Sequence, residues 1–384
     1  MRSPLFPIFL TVFVDVLGLT LVLPLLPFYA QHFGATPLVV GALGASYAVC
    51  QLVSGPVLGR VSDRVGRKPT LLFSQAGTFF GFLVIGSAEA LWVLFLGRIL
   101  DGITAGNLSI AQAYISDVTR PEERTKAFGF IGIAFGMGFL LGPALSGIVA
   151  ARYGYSAPPY AAAGLSALSV ICTATLLPSV PPKPRTDGIP AFEVRRFFSR
   201  GGSRAPLLSF FLYILAFSIF IGGNALFLER RLGFDVEKVG YVFALSGLVG
   251  ALVQGGLIGR LVKRLGESRL AVAGFVSMII GFGLAGFVRS IPVLVVAVVI
   301  SGFGISVTRP SLTTLVTKSV AAHDQGVALG LSQSLASIAN VIGPLTAGFL
   351  IGKGLLTTWA LLAAAVALLG ALSVQRAPPG EHPA

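Results

Sequence analysis

The sequence predicts an all-α membrane protein with twelve transmembrane helices arranged in two pseudo-symmetric six-helix bundles. The chain of 384 residues is 54% hydrophobic and only 11% charged, whereas soluble domains carry about 25% charged residues. Twelve apolar stretches are long enough to cross a bilayer, which takes about 20 residues. Glycine and charged residues of the first half recur, at a fixed offset, in the second half.

The apolar stretches are numbered spans 1 to 12 in chain order. The first is interpreted as a span and not as a signal peptide, because Pro24 and Pro27 stand where a small-residue cleavage site would be. The predicted spans are 5–30, 37–59, 70–88, 91–116, 127–150, 157–177, 206–228, 237–259, 270–288, 291–317, 326–351 and 355–374.

The repeat relates spans 1–6 to spans 7–12. An offset of 200 residues matches Gly55, Gly59, Arg60, Arg64, Gly66 and Gly102 to Gly255, Gly259, Arg260, Arg264, Gly266 and Gly302. Six spans are an even number, so both halves begin on the same side of the membrane and form a parallel repeat, with the substrate expected between them near mid-bilayer. The predicted parts are a bundle at 1–177, a linker at 178–204, a bundle at 205–376 and a disordered tail at 377–384.

The loops carry their positive charge on one side. Twenty of the Lys and Arg residues lie in loops on the side of both termini, and six lie in loops on the other. These sides are called the basic side and the opposite side. Since positive loops stay inside, the sequence predicts a multi-pass cell-membrane protein with both termini in the cytoplasm.

Several other classes of protein are disfavoured. The net charge of +13 does not indicate nucleic-acid binding, because the basic residues lie in short loops and not along one face. The two cysteines, Cys50 and Cys172, lie inside spans and predict neither a disulfide nor a metal site. The three histidines lie near span ends or in the tail, so no converging catalytic site is expected and no cofactor is predicted.

Four ionisable residues fall inside spans, namely Asp15, Arg98, Asp101 and Arg309. Each costs about 2.5–3.5 kcal/mol to insert and therefore indicates a function. Arg98 and Asp101 are three residues apart and share a helix face. Our hypothesis is that Asp15 and Asp101 compete for Arg98, and that one aspartate is the exchangeable proton site. A static ion pair that braces the first half is the alternative.

Further polar and aromatic residues predict a cavity for an amphiphilic small molecule. For Arg309, which precedes Pro310, three roles stay open: binding an anionic substrate group, pairing with Asp15, and extending to the basic side. Helix packing is the alternative role for each of the other residues. The predicted cavity residues are Asn107, Gln112, Tyr213, Gln254, Arg309 and Asn340.

A dense charged turn, predicted at 59–69, joins spans 2 and 3. Gly59 and Gly66 are expected to permit tight turns. Asp63 is expected to accept hydrogen bonds from Arg64 or from a helix N-terminus of the other half. Such a latch would hold an outward-open state, and it would be one-sided because Lys263 occupies the equivalent position in the second half. The alternative is a merely positive loop.

Four motifs together resemble the major facilitator superfamily, in its twelve-helix drug:proton antiporter branch. The residues that carry the resemblance are Gly59, Asp63, Arg64, Gly66, Arg67 and Lys68 in loop 2–3; Leu96, Gly97, Arg98 and Gly102 in span 4; Gly138, Gly142, Pro143 and Gly147 in span 5; and Asp15, Gly18, Pro24 and Pro27 in span 1. The resemblance implies the major facilitator fold, gating by residues 59–68, an antiporter role for the span 5 motif, and a monomer.

Within that branch the sequence looks most like bacterial tetracycline exporters, for example at Tyr114-Ile115-Ser116-Asp117. Polar positions of those exporters fall near Gly81, Gly250 and Met278 here, which favours another lipophilic substrate. The resemblance therefore implies proton-coupled efflux of lipophilic drug-like molecules. The alternatives are the same fold moving a native metabolite, lipid or sugar conjugate by antiport or uniport, and a non-transporting receptor.

Overall fold

The computed structural model describes residues 5–119, 121–179, 204–320 and 325–375, and within these ranges all regular structure is helical. Eleven helices there are long and apolar enough to cross a membrane. One of them, Val236–Gly286, is 51 residues long and contains two spans, because Gly266 has a φ of 72° and interrupts the helix. The twelve predicted spans are confirmed. Most of the predicted linker, 180–203, and the predicted tail, 377–384, lie outside the described residues.

The helices follow the predicted order with shifted ends. They are Leu5–Val22 and Leu26–His32 (span 1), Pro37–Val65 (span 2), Arg67–Gly86 (span 3), Leu91–Ile103 and Asn107–Val118 (span 4), Pro121–Tyr153 (span 5), Ala157–Leu176 (span 6), Arg204–Leu232 (span 7), Val236–Leu252 with the π-helical turn Val253–Leu257 (span 8), Ile258–Gly286 (the end of span 8 and all of span 9), Ile291–Lys318 (span 10), Gln325–Gly352 (span 11) and Leu356–Gln375 (span 12).

The predicted turn at 59–69 is mostly helical, which corrects the expected end of span 2. Span 2 continues to Val65 and span 3 begins at Arg67, so a single residue separates them. That residue, Gly66, has a φ of 111°, which a side chain would make unfavourable. Gly59 lies inside the helix and forms no turn. The charged residues are therefore held on rigid helix ends rather than in a loop.

Two predicted helices are interrupted in ways that the sequence did not indicate. Span 4 breaks between Ile103 and Asn107, and Ser74 of span 3 satisfies the freed backbone. The Ser74 hydroxyl donates to the Thr104 carbonyl and accepts from the Gly106 amide, the latter at 3.0 Å. Span 8 contains one π-helical turn, a feature that is frequent at functional sites.

The packing of the spans repeats between the halves. Span 1 contacts spans 5 and 6, span 3 contacts spans 4 and 6, and span 2 contacts span 4. The second half makes the equivalent contacts: span 7 contacts spans 11 and 12, span 9 contacts spans 10 and 12, and span 8 contacts span 10. The halves meet through span 2 against span 11 and through span 5 against span 8, which are again equivalent pairs. The two pseudo-symmetric six-helix bundles are confirmed.

The two halves approach each other closely where these contacts lie toward the opposite side of the membrane. A β-carbon at Gly41 would lie 2.3 Å from the carbonyl oxygen of Pro344, and one at Gly240 would lie 2.5 Å from that of Pro143. Both glycines therefore allow backbone-to-backbone approach between the halves.

Toward the basic side the contact between the halves is lost. A β-carbon added at Gly55, Gly59, Gly255 or Gly259 would meet no atom within 4 Å. The cleft between the bundles therefore opens, within the described part of the chain, on the basic side.

Candidate functional site

A buried ion pair lies on span 4. The Arg98 guanidinium donates to the Asp101 carboxylate at 3.3 Å, and the two residues are 3% and 4% exposed. The guanidinium also stacks 4.3 Å above the ring of Tyr47 on span 2, an attractive arrangement for a cation. Thr78 of span 3 lies beside the same carboxylate. Three spans thus converge on one pair of opposite charges.

Asp15 belongs to a second polar cluster, between spans 1, 3 and 6. Gln75 Nε2 donates to Asp15 Oδ2 at 3.3 Å and to the Ser169 hydroxyl at 2.8 Å. The other carboxylate oxygen of Asp15 and the amide oxygen of Gln75 are buried and have no hydrogen-bond partner. A buried carboxylate that is only half satisfied is costly when it is charged.

Arg98 pairs with only one of the two aspartates that were predicted to compete for it. Arg98 pairs with Asp101, whereas Gln75 donates a hydrogen bond to Asp15. Asp15 is nevertheless close enough to Asp101 for the two carboxylates to repel each other. Arg98 Nε is buried and without a partner, so the guanidinium keeps one free donor. Sequence reasoning assigned no role to Gln75, because one glutamine inside a span gives no distinctive pattern.

Arg67 is the centre of the charged network on the basic side of the first half. Its guanidinium donates to Asp63 at 2.5 Å, to Asp117 at 2.8 Å and to the Ser62 hydroxyl at 2.6 Å. The partner of Asp63 is thus Arg67 and not Arg64, which corrects the expected pairing. Arg67 is 8% exposed, so this network fixes the turn at Gly66 against the end of span 4.

The remaining residues of this segment play different parts. Lys68 donates to the carbonyl oxygen of Ala174 at 2.8 Å and so ties span 3 to span 6. Arg64 is exposed. A contact of Asp63 with the other half stays a prediction, as does the latch.

The second half contains the same bridge with reversed charges. Lys318 donates to Glu267 at 2.6 Å. The separation is 51 residues, against 50 for the bridge between Arg67 and Asp117. Glu267 is the repeat equivalent of Arg67, at the offset of 200. Sequence reasoning missed this pair, although the nearly equal spacing of opposite charges in both copies was a usable signal.

The glycines of the span 5 motif are packing positions. A β-carbon at Gly142 would collide with Thr20 of span 1, and one at Gly138 would lie 2.6 Å from Val16. The Thr20 hydroxyl donates to the Gly138 carbonyl at 2.9 Å. A β-carbon at Gly147 would lie 2.8 Å from the backbone of Glu237 on span 8. Span 5 therefore joins span 1 within its own half to span 8 of the other half.

The predicted cavity residues differ in their exposure. Gln112, Gln254 and Arg309 are exposed, and Asn107 and Asn340 are partly buried. Tyr213 is only 2% exposed. Its hydroxyl donates to the carbonyl of Ile305 on span 10 at 3.1 Å, so in this conformation Tyr213 packs behind the cleft surface.

Two symmetric helical bundles with a cleft between them, and ionisable residues buried in one of them, are the features of a secondary membrane transporter. A sequence model of the Major Facilitator Superfamily matches residues 8–255 and 206–384. The chain belongs to this family. It is a multi-pass membrane protein that transports a small molecule, and it is not an enzyme.

Several known proteins are similar over most of their length. The class D tetracycline resistance protein of Salmonella ordonez is 33% identical over 356 residues, which are 88% of this chain and 87% of that protein. The class B protein of Escherichia coli is 31% identical over 86% of this chain and 84% of the relative. Multidrug resistance protein 2 of Bacillus subtilis (strain 168) is 26% identical over 88% of this chain and 86% of its own.

Solved structures share the fold. The human organic anion transporter MFSD10 superposes with a TM-score of 0.78 at 24% identity, covering 97% of this chain and 99% of its own. The nucleoside transporter NupG gives a TM-score of 0.76 at 16% identity, covering 97% of this chain and 98% of its own. At these identities the likeness concerns the architecture alone.

Proposed function

We propose that this protein is a proton-coupled exporter of lipophilic, drug-like molecules in the inner membrane of a bacterium. The relatives that resemble it over most of the chain are named for resistance to tetracycline and to multiple drugs. The distribution of Lys and Arg supports cytoplasmic termini. The cleft would then open to the cytoplasm, where an exporter collects its substrate. The protein would act as a monomer.

The observation that carries the proposal of proton coupling is the pair of buried carboxylates. Asp15 has one unpartnered oxygen, Asp101 has Arg98 as its counter-ion, and the two carboxylates repel each other. A proton on either aspartate would remove that repulsion and the cost of a buried charge. Two buried acids, of which one is paired with the cation and the other is not, can therefore exchange a proton when the cation moves.

The coupling would use the rocking of the two halves. Arg98 contacts Tyr47 of span 2, and span 2 also packs against span 11 of the other half. Closing the basic side would move span 2 and thus displace the Arg98 guanidinium relative to Asp101 and Asp15. In the proposed cycle the aspartate that loses Arg98 takes up a proton from outside, and it releases the proton when the cleft reopens to the cytoplasm.

The other motifs would serve the same rocking motion. Residues 59–68 would gate the basic side, with Arg67 keeping Asp63 in place until the halves close. The Gly138, Gly142 and Gly147 positions would let span 5 slide between span 1 and span 8. Asp63→Asn is then expected to weaken transport without abolishing substrate binding.

The substrate is proposed to differ from tetracycline. At the three positions where tetracycline exporters carry polar residues, Gly81 packs against Asp101, Gly250 packs against Ser306, and Met278 is fully buried. These positions offer no polar group to a chelated metal ion. The export of uncomplexed lipophilic molecules fits the residues at these positions better.

Reconstitution into liposomes tests the proposal. With ethidium and tetracycline as separate probes, an imposed pH gradient should drive uptake of ethidium more strongly than of tetracycline, and an ethidium gradient should change the lumenal pH. Asp15→Asn and Asp101→Asn should each be measured for proton release on addition of ethidium. If both variants still exchange protons, the assignment of the proton site fails; if the pH gradient drives no substrate, proton coupling fails.

A further inference from the structure

Arg309 is an intramembrane cation for which the described residues supply no counter-ion. The two arginines that are buried among the described residues have carboxylate partners, Arg98 with Asp101 and Arg67 with Asp63. Asp15, which was one predicted partner of Arg309, is instead hydrogen-bonded to Gln75. Arg309 is exposed. An uncompensated charge within a membrane span needs a reason, since its insertion costs about 2.5–3.5 kcal/mol.

Neighbouring contacts show which way Arg309 faces. It follows Ile305 by four residues and Ser306 by three, so it lies on the helix face that these two residues share. The Ile305 carbonyl meets Tyr213 of span 7, and Ser306 lies against Gly250 of span 8. Span 9 packs on a different face of span 10, at Gly304. Arg309 therefore lies on the side of span 10 that faces spans 7 and 8, and it is exposed there.

A second hydrogen-bond donor lies at the same depth. Gln254 follows Gly250 by four residues on span 8, and Arg309 follows Ser306 by three on span 10, so both lie about one turn to the basic side of that contact. Gln254 is exposed and belongs to the π-helical turn Val253–Leu257. Within the described part of the chain, its amide forms no hydrogen bond that would occupy it.

Aromatic side chains lie beside this pair of donors. Tyr213 stacks on Phe217 with ring centroids 6.4 Å apart, and it meets Phe275 edge-on at 6.4 Å. Tyr213 and Phe275 are buried, whereas Phe217 is partly exposed. The Arg309 guanidinium is near enough to the Tyr213 hydroxyl to interact with it electrostatically. A guanidinium beside aromatic side chains is suited to a ligand with an acidic group and an apolar body.

We infer that Arg309, with Gln254 beside it, binds an acidic group of the transported molecule, so that the substrates include amphiphilic organic anions and zwitterions. The inference rests on the proposed export function and gives it a substrate class. Arg309 would supply the charge, and Phe217, the partly exposed ring that stacks on Tyr213, would contact the apolar body. Extension of the Arg309 side chain to lipid headgroups on the basic side would predict no dependence on substrate charge.

A pair of dyes tests this directly. Rhodamine B carries a free carboxylate, and its ethyl ester has the same aromatic body without the acid. Binding of both dyes to the purified full chain in detergent is followed by fluorescence polarisation, and transport of both is followed in proteoliposomes. Arg309→Gln should weaken binding of rhodamine B about tenfold or more, the loss expected for one charge-assisted hydrogen bond, and should change binding of the ester less than about twofold.

The control is Arg289→Gln, which removes the same charge from an exposed residue in the loop between spans 9 and 10 and should affect neither dye. Arg309→Lys should recover part of the affinity for rhodamine B. The inference is overturned if wild-type protein binds the ester as tightly as the acid, if it does not bind the acid, or if Arg309→Gln weakens both dyes equally. The proposed export function fails separately, if wild-type protein moves neither dye nor ethidium.

Discussion

The two halves of this protein have the same packing and different chemistry. At the repeat offset of 200, Asp15, Gln75, Arg98 and Asp101 of the first half correspond to Leu215, Phe275, Val298 and Ser301 of the second. The first half thus holds a buried set of charges and amides. The second half has an aromatic stack in its core, with Phe220 4.1 Å from Phe282 and 5.2 Å from Trp359.

The shared backbone explains how the two chemistries coexist. A β-carbon at Gly81 would lie 3.0 Å from the Asp101 β-carbon, and one at Gly281 would lie 2.6 Å from that of Ser301. The span 3–span 4 contact and the span 9–span 10 contact are therefore built in the same way. The fold therefore needs small residues at these two helix crossings, whereas the polar residues beside them are free to serve function.

The largest expected difference between the halves is at the matched pair Asp101 and Ser301. Asp101→Ala leaves the Arg98 charge buried and unpaired, which should lower the free energy of unfolding by about 3–5 kcal/mol. Ser301→Ala removes a hydroxyl that donates only to Val298 of its own helix and should cost less than about 1.5 kcal/mol. Thermal or denaturant unfolding in detergent measures both, and equal losses would contradict the distinction between the halves.

Substitutions of the interface glycines should affect stability equally in the two halves, because these two contacts are built alike. Gly41→Ala and Gly240→Ala each force the interface on the opposite side apart, so we expect each to cost about 1–3 kcal/mol of overpacking in this conformation. A cysteine introduced beside this interface should be labelled faster, in both variants, by a reagent added from the opposite side of the membrane. Gly55→Ala and Gly255→Ala are the controls, since a β-carbon there meets no atom within 4 Å. Unequal effects of the first two variants would show that the interface is not symmetric.

The charge-reversed bridges should give a smaller difference between the halves than Asp101 and Ser301 do. Arg67 is buried and has three partners, whereas the side chain of Lys318 is 61% exposed. A double-mutant cycle on Arg67 and Asp117 should give a coupling of about 1.5–3 kcal/mol, and one on Glu267 and Lys318 about 0–1 kcal/mol.

Added salt should weaken the exposed bridge more than the buried one, because the exposed pair is screened by mobile ions. Glu267→Ala alone should therefore have little effect on the free energy of unfolding. A coupling for the second bridge as large as that of the first would mean that Lys318 is desolvated, and would remove this contrast between the halves.

Much of the fold and part of the site could be predicted from the sequence. Hydrophobic runs gave all twelve spans, the offset of Gly59 and Gly259 gave the repeat, and the three-residue spacing of Arg98 and Asp101 gave their pairing. These features depend on local spacing and composition. The predicted positions of the turn at 59–69 and of the continuous span 4 were wrong. In span 4 the reason is that the backbone polar groups freed at Thr104 and Gly106 are satisfied by a serine on another span.

The amino-acid sequence alone establishes where the chain crosses the membrane and which residues bring charge into it, because an apolar run is costly outside the bilayer and a lone charge is costly within it. The partner of each charge depends instead on the tertiary structure. Asp15 meets Gln75 across 60 residues of chain, and Arg67 meets Asp117 across 50. Helical periodicity reports which face of a span is apolar, whereas the packing of distant spans determines which side chains that face meets.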